Sequence, residues 1–163
     1  MRNQKLRSLT LAATVAALYV LLTWLSGLFG LASGAVQLRL SEMLCVLPIF
    51  FPAAVPGLFF GCALANLLSN AVILDIVFGS LATLIGALGT LLLHRRPYLA
   101  LIPPILANTV IVPFVLVFGY GLPFTLPSML FSAVTVCLGE VLSCGVLGVF
   151  FMKVVKRYLP HVG

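Results

Sequence analysis

The sequence predicts an all-α membrane protein: a bundle of six transmembrane helices in one domain, residues 1–163, with both termini in the cytoplasm. Three observations carry that prediction. First, 63% of the residues are hydrophobic and only 7% are charged, against about 25% charged in a soluble domain. Nine basic and three acidic residues cannot clothe a soluble particle of this size. The mean hydropathy of +1.27 agrees. Second, residues 8–38, 43–74 and 97–139 contain no Asp, Glu, Lys or Arg. A bilayer needs about 20 apolar residues per helical span, so each run holds at least one span and the last holds two. Third, the basic residues cluster at Arg2, Lys5 and Arg7, at Arg95 and Arg96, and at Lys153, Lys156 and Arg157. A six-span path starting inside puts all three clusters in the cytoplasm, as positively charged short loops require. Arg39 alone falls outside. A five- or seven-span path strands one cluster on the wrong side.

The elements follow in order. Span one covers residues 8–30. Its apolar run is longer than the roughly 7–15 residues of a signal-peptide core, and its alanines lie inside the run, so it reads as a span and not as a cleaved leader. A polar stretch, Gln37 to Glu42, precedes span two at 40–51. Pro52 and Pro56 break the helix there. Span three covers 57–69, and Asn70 to Leu74 forms an external turn. Span four covers 75–93 and stops at His94-Arg-Arg-Pro97. Span five covers 99–118. A loop rich in Gly and Pro leads to span six at 128–155. Neither a soluble domain nor a long linker is expected.

Several function classes lose support. The sequence contains no P-loop, no H-E-x-x-H and no G-x-S-x-G. His94 and His161 lie in basic segments away from any metal-like cluster. The four cysteines, Cys45, Cys62, Cys137 and Cys144, sit singly in apolar runs and read as small buried residues. Neither a cofactor nor a metal is expected. The positive charge serves topology, so nucleic acid is not an expected partner.

Ionisable and amide groups inside a membrane are costly unless paired, which makes them the candidates for function. All three acids fall in this class: Glu42, Asp75 and Glu140. Arg39 and Glu42, three residues apart, share a helical face and form either an interfacial ion pair or a substrate clamp. Asp75 begins span four, where an acid suits the helix dipole and caps the helix. Glu140 lies mid-span, where no cap explains it, with Ser143 and Cys144 on its face. It either binds a ligand or pairs with another helix. Asn66 and Asn70, one turn apart, and Asn108 in span five add amides that serve as helix–helix glue or as ligand contacts. Three acids against one Arg favour a ligand with a cationic amine or several N–H donors. On span one, Ala12 and Ala16 form a small-x-x-x-small pair suited to close helix contact.

Longer stretches carry a family resemblance. Gln37-Leu-Arg-Leu-Ser-Glu-Met-Leu-Cys-Val-Leu-Pro48, Phe50-Phe-Pro52, Val55-Pro-Gly-Leu-Phe-Phe-Gly-Cys-Ala-Leu-Ala-Asn66, Leu74-Asp-Ile-Val-Phe-Gly-Ser-Leu-Ala-Thr83 and Leu138-Gly-Glu-Val-Leu-Ser-Cys144 resemble the QueT family. These are the queuosine-precursor S components of energy-coupling factor (ECF) transporters. The resemblance runs from about Leu11 to Lys156. It implies a prokaryotic plasma-membrane subunit that binds a deazaguanine base near the outer face, under the loop that follows span one. It implies docking on a membrane scaffold subunit, with ATP hydrolysed by two cytosolic ATPase subunits and not by this chain. Ala12 and Ala16 match the family's scaffold-contact pattern.

Under this resemblance the ligand contacts are Gln37, Arg39, Glu42, Asn66, Asn70, Asp75, Asn108 and Glu140. Glu42 and Glu140 accept from the base edge and from an aminomethyl arm, in an order the sequence leaves open. Arg39 or an Asn donates to the ring carbonyl. Trp24 or Tyr120 stacks on the base or anchors at the membrane interface. An S component for another vitamin or purine-like base, a small channel or exporter, and an intramembrane enzyme remain as alternatives.

Overall fold

The computed structural model describes residues 2–30 and 38–158, and the described chain is helical with short connections. Helix α1 spans Arg2–Leu28. A 3-10 segment, Leu40–Ile49, follows. Helix α2 is Ala54–Leu68 and α3 is Ser80–Leu92, the latter entered through a π-helical turn at Asp75–Gly79. Helix α4 is Ile102–Tyr120, after a single 3-10 turn at Leu99–Leu101. Helices α5, Leu126–Glu140, and α6, Gly148–Tyr158, are the two halves of one rod joined by a π-helical stretch at Val141–Leu147.

Among the described residues, four rods are long and apolar enough to cross a bilayer: Asn3–Leu28, Asp75–Leu92, Leu99–Tyr120 and Leu126–Tyr158. They coincide with predicted spans one, four, five and six. Predicted spans two and three correspond to the shorter apolar helices Leu40–Ile49 and Ala54–Leu68. Predicted span two is not an α-helix. Pro48 lies inside it, and the narrower 3-10 form rises about 2.0 Å per residue against 1.5 Å. Its ten residues therefore reach about 20 Å, further than an α-helix of that length.

That segment is the centre of the molecule. Leu44, Cys45, Val46 and Leu47 are buried in the main core with Tyr19, Leu58, Cys62, Met152 and Val155. Its first N–H is held by α1: Leu40 N–H donates to Ser26 Oγ at 2.9 Å, which satisfies a donor that a helix start leaves free. Elsewhere close packing rests on missing side chains. A Cβ on Gly57 would lie 2.5 Å from the Ala12 carbonyl oxygen, and one on Gly61 2.9 Å from Ala16 Cα. Ala12 and Ala16 therefore pack α1 against α2 of the same chain, while Ala13 and Ala17 face outward. Small residues let helices approach in this way in lipid, where no hydrophobic force drives them together.

Candidate functional site

A cavity of about 670 Å³ opens at one end of the bundle. Thr23 and Ser26 of α1, Arg39, Asn66 of α2 and Asn70 just after it, Asp75, Tyr120 of α4, and Ser128, Ser132 and Thr135 of α5 supply its polar wall. The end of α1, the end of α2, the π turn before α3, the end of α4 and the start of α5 therefore meet here. The basic clusters lie on the opposite ends of the same rods: the start of α1, the end of α3 and the end of α6.

Each of the three acids sits at the start of an irregular helical segment. Glu42 is in the first turn of the 3-10 segment, Asp75 opens the first π turn, and Glu140 immediately precedes the second. Single π insertions widen a helix locally and occur frequently at functional sites. Here they turn carboxyl groups inward from helices that are otherwise apolar.

Asp75 is 5% exposed. It is not a helix cap, contrary to the sequence reading: the N-cap is Leu74, with no side-chain cap bond. Its carboxylate instead joins three elements. Oδ2 accepts from the Tyr120 hydroxyl at 3.0 Å and faces Arg39 Nη2 at 3.7 Å. Asn66 Nδ2 donates to the Asp75 carbonyl oxygen at 3.1 Å, the interhelical bridge expected of a membrane amide. Gly79 makes room for the arrangement, since a Cβ there would lie 2.7 Å from Asp75 Oδ1.

The structure corrects the expected Arg39–Glu42 pair. Arg39 turns to Asp75, and Glu42 turns into the core at 1% exposure. Glu42 Oε1 accepts from the Tyr19 hydroxyl, and Oε2 accepts from Cys45 Sγ at 3.1 Å. Glu42 is supplied with two donors and Asp75 is bonded through Oδ2 alone, so the carboxylate oxygens left without a donor among the described residues are Asp75 Oδ1 and Glu140 Oε2.

Glu140, Asn108 and Tyr19 form a buried polar layer one helical turn below the cavity wall. Tyr19 lies four residues before Thr23 on α1, Asn108 four before Val112 on α4, and Glu140 four after Val136 on α5. Each step leads away from the cavity mouth by about 6 Å. The Asn108 carboxamide faces Glu140. Both residues are more than nine-tenths buried. Among the described residues, neither Asn108 Nδ2 nor Glu140 Oε2 has a hydrogen-bond partner, and nor does Ser143 Oγ.

The remaining expectations divide. Asn70 lines the cavity and also ends α2, with φ +54 and a bond from Ala71 N–H to the Asn66 carbonyl at 3.0 Å. That is a left-handed helix cap of the Schellman type. Tyr120 lines the cavity. Trp24 does not: it is 61% exposed on the bundle surface. Gln37 lies outside the described residues. Sequence reasoning missed Tyr19, Thr23, Ser26, Ser132 and Thr135. A signal for them existed: Tyr19, Thr23 and Ser26, and likewise Ser128, Ser132 and Thr135, recur at i, i+4 and i+7, which makes a polar stripe along one helical face.

These features define an α-helical, multi-pass membrane protein with a polar cavity at one end. The chain belongs to the QueT transporter family, whose sequence model matches residues 9–157. A curated protein of Lactococcus lactis subsp. cremoris (strain MG1363), the queuosine precursor transporter QueT, is 38% identical over 96 residues, covering 58% of this chain and 56% of the relative. The chain thus aligns with little more than half the length of that curated relative. No solved structure matches it.

Proposed function

We propose that this chain is the substrate-binding membrane subunit of an ECF-type importer, and that it takes up a queuosine precursor, a deazaguanine base. Six spans place both termini and all three basic clusters in the prokaryotic cytoplasm, and the cavity opens to the outside. A membrane scaffold subunit and two cytosolic ATPase subunits supply the energy. The observation that carries this reading is the position of the polar cavity, at the end of the bundle opposite the basic residues. Positive loops stay inside, so a ligand in the cavity arrives from outside.

The family membership and the relative's name support the substrate class. A second hollow, about 630 Å³, lies at the basic end between Lys5, Ala12, Ala16, Pro52, Pro56 and Phe60. It suits scaffold docking: Ala12 and Ala16, half-buried against α2, still present part of their surface there.

The test is to purify the chain alone in detergent and titrate it with aminomethyl-deazaguanine, cyano-deazaguanine, queuine, guanine, thiamine and riboflavin by calorimetry. Submicromolar binding of a deazaguanine, with guanine far weaker, is expected. Binding of a vitamin in its place removes the substrate assignment and leaves the binding-subunit reading. No binding by a folded sample removes both.

A further inference from the structure

Two glutamates, Glu42 and Glu140, are buried behind the cavity lining, and the structure distinguishes them. Both Glu42 oxygens already accept bonds, from Tyr19 and Cys45. Glu140 Oε2 accepts none among the described residues, and the Asn108 amide, which lies against the Glu140 carboxyl, meets no acceptor there at full hydrogen-bond geometry. Leaving a buried polar atom unpaired costs about 1–3 kcal/mol; even where one Asn108 N–H serves Glu140, a carboxylate oxygen and a second amide N–H are left over side by side for a ligand. We infer that Glu140 and Asn108 together read the hydrogen-bonding edge of the bound base. This rests on the function proposed above.

The chemistry follows from the two groups. A carboxylate offers two oxygens as acceptors. The edge of a deazaguanine presents a ring N–H and an exocyclic amine side by side, and these donate two parallel bonds to one carboxylate. The ring carbonyl next to them needs a donor. Asn108 carries two N–H donors, so it can hold Glu140 with one and serve the carbonyl with the other. An isolated ammonium group fits less well, because it has no acceptor for Asn108. The base therefore enters edge first, one turn below the cavity floor, and its 7-substituent stays in the cavity among Arg39, Asp75 and Tyr120. The π turn that begins at Val141 widens α5 directly beside this position.

The experiment compares two ligands that share the edge and differ in the arm: aminomethyl-deazaguanine, which is cationic, and cyano-deazaguanine, which is neutral. Calorimetric titration of the purified chain is run for wild type, Glu140→Gln and Asn108→Ala, with thermal midpoints recorded without ligand. Glu140→Gln is expected to weaken both ligands alike by more than tenfold, about 1.4 kcal/mol. Asn108→Ala is expected to weaken both alike by a smaller factor. A 2-deamino analogue, which lacks the exocyclic amine, should bind wild type poorly and lose little further in Glu140→Gln. A loss confined to the aminomethyl ligand overturns the inference and assigns Glu140 to the ammonium group. Unchanged binding of both ligands in a folded Glu140→Gln also overturns it and leaves the proposed function standing. If Glu140→Gln does not fold, an Asn108→Ala variant that binds both ligands as wild type does overturns it equally. Failure of wild type to bind any deazaguanine removes the proposed function and this inference together.

Discussion

The Tyr19 hydroxyl donates a hydrogen bond to the Glu42 carboxylate from 23 residues away in the chain. Both side chains are 1% exposed. The bond ties α1 to the first turn of the 3-10 segment at the centre of the core, and it points to a structural role for Glu42.

Tyr19→Phe tests that assignment. The substitution keeps the ring and its packing but leaves Glu42 Oε1 buried without its donor. The expected loss is about 1–3 kcal/mol, read as a lower thermal midpoint in detergent. Ligand affinity should change little in the protein that remains folded. An unchanged midpoint would mean that Glu42 finds another donor.

The cavity wall makes a second prediction. The Arg39 side chain is 26% exposed and that of Asp75 is 7% exposed. Removing one partner strands the other's charge in a partly buried site. Breaking a fully buried pair costs about 3–5 kcal/mol, and the exposure of Arg39 reduces this to about 1–2 kcal/mol after solvent screening. Asp75→Ala should therefore destabilise more than the double variant Asp75→Ala/Arg39→Ala does relative to Arg39→Ala. A double-mutant cycle on thermal or denaturant stability measures the difference. Strict additivity would remove the coupling.

How much of this was legible in the sequence depends on the scale of the signal. The four long rods follow from charge-free runs and basic clusters, signals that extend over 20 or more residues. The central segment was located but not its form, because Pro48 and dense burial select the 3-10 helix and no periodicity announces them. Asp75, Asn66, Asn108 and Glu140 stood out because polar groups are rare in lipid. Their partners did not: Arg39 and Glu42 are neighbours in sequence, but Tyr120 and Asp75 come together across 45 residues. Local spacing favoured the wrong pair. Tyr19 was missed because a tyrosine in an apolar run looks like core or an interfacial anchor until its hydroxyl is seen against a carboxylate.

The crossing of α1 and α2 makes a third prediction. A Cβ on Gly61 would lie 2.8 Å from Tyr19 Cβ and 2.9 Å from Ala16 Cα. Neither atom belongs to the flexible end of a side chain, so the helices must move apart. Gly61→Ala should cost about 1–3 kcal/mol. Gly27→Ala is the control: no atom lies within 4 Å of a Cβ there, and alanine is the better helix former by about 0.5–1 kcal/mol. Thermal midpoints should therefore fall for the first and hold or rise for the second. Equal midpoints would show that the α1–α2 contact yields without cost.

Topology gives the last prediction. Lys5, Arg95 and Lys156 are exposed at the basic end of the bundle, and Phe124, 69% exposed, is in the loop at the cavity end. Single cysteines at these positions report the side of the membrane on which each lies. A membrane-impermeant maleimide applied to intact cells should label Phe124→Cys, and it should reach Lys5→Cys, Arg95→Cys and Lys156→Cys only after lysis. Wild-type background should be low, since Cys45, Cys62 and Cys144 are buried and Cys137 is mid-helix. The reverse pattern would invert the protein and turn the cavity toward the cytoplasm. Labelling of Arg95→Cys together with Phe124→Cys would break the six-span path. Because the three basic positions belong to different rods, their shared protection tests the span count and the orientation together.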